Sequence, residues 1–149
     1  MNYPDGIDCL WLACDRDDKV AAFVTAGCAP VPVSVLETPR AVDAGNACDD
    51  LDAMCDAESL LRQGDPTSFL ALARRGLQVY DWQDVHRSRS QCSGKYELVA
   101  RPTAPCRLDD LPASLANLAR AFRFEGLAFG QSSAIDPRQV APCEQGGAC

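Results

Sequence analysis

The sequence predicts an α+β domain: a mostly antiparallel sheet of about five strands, opened by an N-terminal β-hairpin and covered on one face by about three helices. Three observations carry that prediction. Two short apolar runs flank the charged turn Asp15–Lys19, and Gly27, Pro30 and Pro32 stop the second run, which is how a tight hairpin is written. Asp65, Pro66 and Gly76 bracket a stretch with helical apolar spacing. From Lys95 to Arg101 the apolar residues alternate with period two.

Taken in order, the hairpin is followed by Val33–Ala44, where Pro32 and Pro39 limit any helix to about two turns. Ala47, Cys48, Leu51, Met54, Cys55 and Leu61 then fall at helical spacing, which predicts an amphipathic helix over 47–61 with an acidic outer face. Asp65 is placed to cap the next helix, with Pro66 at its first position. Phe69, Leu70, Leu72 and Ala73 form its apolar face, Arg74 and Arg75 sit at the negative end of its dipole, and Gly76 ends it.

Residues 76–82 form a strand and the polar stretch 83–94 a loop. Lys95–Arg101 is a second strand, with Tyr96, Leu98 and Ala100 on one face and an antiparallel partner in the first. Leu111, Leu115, Leu118 and Phe122 make the stripe of a last helix beginning near Pro112, and 124–129 a final short strand. The domain is therefore expected over 1–129, with 130–149 a Pro-, Gly- and Ser-bearing tail that has little to pack.

A chain of 149 residues is long enough to bury a core without staples. Its net charge of −7 excludes nucleic acid as a direct partner, because phosphate repels such a surface, and favours a basic protein. The first eight residues are acidic where a signal peptide is basic, and the longest uncharged run, 20–36, is broken by Gly27 and two prolines. The expected location is cytoplasmic, with no membrane partner.

Nine cysteines stand at 9, 14, 28, 48, 55, 92, 106, 143 and 149. Their spacing matches no zinc knuckle or ribbon, no Cys-x-x-Cys occurs, and the odd count leaves one over in any disulfide scheme. They are expected to be reduced, with Cys9, Cys28, Cys48 and Cys55 acting as small core hydrophobes and no cofactor or metal bound. A cysteine-based metal-binding or redox protein is the alternative reading.

Catalytic candidates are few. His86 is the sole histidine, and the nearby Asp84, Ser88, Ser90 and Cys92 belong to a loop whose composition predicts such residues without any nucleophile held on a rigid turn. Asp81 and Asp84 flank Trp82 as a possible carboxylate pair. No catalytic residue is assigned, and no enzyme activity is expected. The stretch Asp43, Asp49, Asp50, Asp52, Asp56 and Glu58 lacks the calcium-loop pattern and contains no base, so it is read as an acidic docking surface. Asp15, Asp17 and Asp18 on the hairpin turn form a second patch, and Trp82 and Arg87 are the residue types that anchor interfaces.

Several segments together resemble bacterial immunity proteins, the antidotes to polymorphic or secretion-system-delivered toxins. They are 11–15 (WLACD), 23–27 (FVTAG) with Pro30–Pro32, 76–82 (GLQVYDW), and 96–102 (YELVARP) ahead of Leu111 and Pro112. The cysteine content departs from that family. The resemblance implies a heterodimer with a cognate toxin, whose active site or substrate entry is blocked.

Overall fold

A computed structural model describes residues 9–25, 29–61, 64–82 and 94–142. The hairpin forms as expected. Strands β1 (Leu10–Asp15) and β2 (Val20–Val24) pair antiparallel, with Trp11 opposite Phe23 and Ala13 opposite Ala21. Asp18 takes the left-handed conformation the tight turn needs, at φ 63°.

Two one-turn helices follow, α1 (Val33–Leu36) and α2 (Ala44–Cys48), then the short strand β3 (Ala57–Ser59). Helix α3 (Thr67–Ala73) starts just after Pro66. The Asp65 carboxylate accepts the Thr67 backbone N–H at 3.0 Å and its hydroxyl, which holds the Asp65 carboxyl below its usual range. Gly76, at φ 93°, ends that turn. The remaining elements are β4 (Gln78–Asp81), β5 (Tyr96–Pro102), α4 (Ala113–Arg120), β6 (Phe122–Phe124), β7 (Ala134–Ile135) and β8 (Ala141–Pro142).

The strands make one mixed sheet in the order β3-β5-β4-β2-β1-β6-β8, with β7 added beside the start of β5. β4 and β5 pair antiparallel, as their patterns suggested. Two pairings are parallel, β2 with β4 and β1 with β6. The α+β class therefore holds, with more strands than the sequence suggested.

Alternation along β1 and β2 builds two cores. On one face Trp11, Phe23, Tyr80, Trp82, Tyr96, Phe122, Phe124 and Phe129 gather eight of the ten aromatic residues. Phe23 lies at their centre, stacked on Trp11 at 4.4 Å and on Tyr80 at 5.4 Å between ring centroids. Their polar ends are satisfied: Trp11 Nε1 donates to the Tyr96 hydroxyl, and Tyr96 and Tyr80 donate to the carbonyls of Pro30 and Ser132. The other face is aliphatic. Leu12, Val20 and Val79 meet Cys48 of α2, Leu72 of α3 and Leu115 of α4 there.

Four expectations need correction. The helix over 47–61 stops at Cys48. Asp is a poor helix former, and like charges three and four apart (Asp49 with Asp52, Asp52 with Asp56) have no base to offset them. The Met54 and Cys55 N–H groups bond instead to the Arg74 carbonyl. Ala100 does not share a face with Tyr96 and Leu98, because the register slips between β4 and β5 and sends Val99 and Ala100 to the aliphatic side. The short strand expected at 124–129 is β6 at 122–124, and it is not the last.

The fourth correction concerns the tail. Residues 130–142 are part of the fold: β7 and β8 join the sheet, Ile135 is buried, and with α1 this segment covers the aromatic face. Both faces of the sheet are thus covered, where one was expected. Its Gly, Ser and Pro content supplies turns between paired residues, which composition alone does not separate from a loose end.

Candidate functional site

A cleft of about 680 Å³ opens where β1 begins and where the parallel pair β2–β4 ends. In open sheets this crevice, beyond the carboxyl ends of parallel strands, is where the backbone leaves room for a ligand. Leu10 and Val24 form part of its floor. One wall is Val42, Asp43, Gly45, Asn46 and Asp49 around α2; the other is Ser68, Phe69, Leu72 and Arg75 on and after α3. Asp81, at the end of β4, also lines it.

The walls are tied together. The backbone of Asp43 bridges to Leu10, so α2 is hung from the first strand. Arg75 donates from Nε to the Leu51 carbonyl at 2.9 Å, and from its terminal nitrogens to Ala71 at 3.3 Å and Asp49 at 3.5 Å. Its guanidinium is therefore spent on backbone carbonyls that join the end of α2 to α3. Among the described residues the exposed carboxylates of Asp43 and Asp49 outnumber the one guanidinium that borders the cleft, so its field is negative.

Asp43 and Asp49 line the cleft and are exposed, and Asp50, Asp52, Asp56 and Glu58, which follow in the acidic strip of the sequence, are exposed as well. Of these six, Glu58 alone has an ion pair within 4 Å among the described residues, at 3.7 Å to Arg101. Met54 lies exposed within the strip, a large apolar side chain among the acids.

The hairpin patch is separate. It lies at the far end of β1, about 17 Å along the strand from Leu10, and its charge is largely answered: Asp18 pairs with Arg123 at 2.8 Å and Asp17 with Arg16 at 3.8 Å. Asp15 is no docking residue. It is fully buried, with Oδ1 accepting the Asp17 and Lys19 N–H groups and Oδ2 that of Phe129. A carboxylate so filled by backbone donors is structural.

Trp82 is also corrected. It is 6% exposed and packs edge-on against Tyr96 at 5.6 Å in the aromatic core. Arg87, Asp84 and His86 lie outside the described residues. Sequence reasoning named Asp43 and Asp49 but missed Phe69 and Arg75 as cleft residues. Both belong to a stretch with the signals of a capped helix, and nothing local announces that this helix stands opposite α2.

Five of the nine cysteines are described, and of these Cys14, Cys48, Cys55 and Cys106 are free thiols. Burial pushes Cys14 and Cys48 up to about 11 and Cys106 up to about 12. Cys9 and Cys55 are half-buried, and Cys28 lies outside the described residues. Among the described residues no three His, Cys, Asp or Glu side chains converge as metal ligands, and no helix is long and apolar enough to cross a membrane.

No family model, curated protein or solved structure matches the chain.

Proposed function

We propose that this chain is an immunity protein: it binds a basic toxin through its acidic strip and occludes that protein's active site or substrate entry, with no reaction of its own. One observation carries the reading. Asp43, Asp49, Asp50, Asp52 and Asp56, within one stretch of the chain, are exposed with no base within ion-pair distance among the described residues. Solvated and mutually repelling carboxylates add nothing to stability, whereas a basic partner gains from them in encounter rate and orientation. The neighbouring exposed Met54 and the open cleft supply the apolar contact such an interface needs at its centre.

The cysteine-based alternative has less behind it. A redox thiol needs an accessible, low-pKa sulfur, and Cys14, Cys48 and Cys106 have the opposite character. The cytoplasm is the compartment this reading assumes.

The test is co-expression with the product of the adjacent gene. Co-purification as a one-to-one complex, with rescue of cells from that product, is the expected result. A product that neither co-purifies nor loses its toxicity defeats the proposal. A complex of ordinary size would bury about 1,200–2,000 Å².

A further inference from the structure

We infer that the cleft between α2 and α3 receives an arginine side chain from the protein partner; the inference rests on the proposed reading that the partner is a basic protein. The occupant follows from the chemistry of the lining. Asp43 and Asp49 on one wall outnumber the one base among the described lining residues, which rules against an anionic ligand. That base, Arg75, already faces three backbone carbonyls and is held against the wall that α2 forms.

A cation alone does not explain the cleft, because its floor and part of its far wall, Phe69 and Leu72, are apolar. Leu10, Val24 and Phe69 fit an alkyl stem capped by a flat, weakly hydrated charge. Arginine has that form: its guanidinium stacks on an aromatic face and engages a carboxylate through two parallel N–H donors, which an ammonium does not do. A volume of about 680 Å³ falls within the range of clefts that enclose small ligands and leaves room for the flanking peptide. Arginine is also among the residues that most often dominate an interface.

The rim carboxylates are available for this. Asp43 precedes α2 without making a side-chain cap, and Asp49 follows it with its backbone, not its carboxylate, bound to Arg75. Neutralising either leaves the structural bonds of the wall in place.

The experiment titrates the isotope-labelled full chain with N-acetyl-arginine methylamide and follows backbone amide shifts. The lysine and citrulline counterparts serve as the point-charge and neutral comparisons. Expected are saturable shifts at Gly45, Asn46, Leu72 and Arg75, with half-saturation about threefold lower than for lysine and about tenfold lower than for citrulline. Asp43→Asn with Asp49→Asn should raise half-saturation about fivefold or more, while Asp52→Asn with Asp56→Asn should leave it nearly unchanged.

Shifts confined to the outer acids, citrulline matching arginine, or no saturation overturns the inference. Capture of the adjacent gene's product without arginine binding defeats this inference alone. Arginine binding in the cleft without such capture keeps the site and defeats the immunity reading.

Discussion

The Asp15 carboxylate accepts the backbone N–H of Phe129 at 2.7 Å, joining the first turn of the chain to the segment that closes the aromatic core. The same carboxylate holds the turn itself through the Asp17 and Lys19 N–H groups at 2.8 and 3.0 Å. One buried side chain thus fixes two regions more than 100 residues apart, which the 114-residue separation of Asp15 and Phe129 makes plain.

Asp15→Ala leaves those donors without a partner. The Phe129 N–H is buried and rehydrates poorly, so the expected loss is about 2–4 kcal/mol. Asp17→Asn, at an exposed pair, should stay within about 0.5 kcal/mol. Midpoints of urea unfolding at constant m-value check both.

Gly76 and Gly64 share a positive φ, 93° and 92°, but differ in space. A Cβ on Gly76 would lie 2.7 Å from the Cys106 Cβ and 3.1 Å from the Cys106 nitrogen; a Cβ on Gly64 would meet no non-neighbouring atom of the described residues within 4 Å. Gly64→Ala should therefore cost only the backbone strain, about 1–2 kcal/mol. Gly76→Ala should cost about 1–3 kcal/mol more, because rigid backbone must move. Equal losses in thermal or denaturant unfolding would contradict the packing described around Cys106.

The buried thiols give stability a dependence on alkaline pH. Cys14, Cys48 and Cys106 have folded values raised from 9.0 to about 11, 11 and 12 by desolvation. Above pH 9 the unfolded chain releases these protons while the folded chain keeps them, so the stabilisation is complete below pH 9 and is lost as pH rises towards 11–12. Unfolding in reductant at pH 8, 9, 10 and 11 should show this fall. Alkylation of the native protein at pH 8 should spare all three thiols and reach them after denaturation.

Trp82 separates stability from binding. As a core residue, Trp82→Ala should cost about 3–5 kcal/mol, and Trp82→Phe far less. Partner capture should survive Trp82→Phe. A loss of capture at unchanged stability would restore Trp82 as an interface anchor.

Local chemistry made much of the fold legible. The hairpin, α3 with its Asp65 and Gly76 signals, and the β4–β5 pair are written in turn residues and short periods. The parallel pairings of β1 with β6 and β2 with β4 are not, because they join residues 57 or more positions apart that carry no mutual local signal. The acidic strip was visible as charge, yet its apolar spacing imitated a helix that aspartate repulsion does not allow. Half of the cleft was in view as Asp43 and Asp49. The other half, Phe69 and Arg75, appears only once α3 packs opposite α2.

The association rate tests the docking role of the acidic strip most directly. Stopped-flow mixing with the purified product of the adjacent gene should give fast, salt-sensitive association. Charge reversal at Asp49, Asp50 and Asp52 to Lys should slow it about tenfold or more at low salt, with the difference closing as salt screens the field. Association that is indifferent to both the reversal and the salt, while the variant remains folded, would contradict the account.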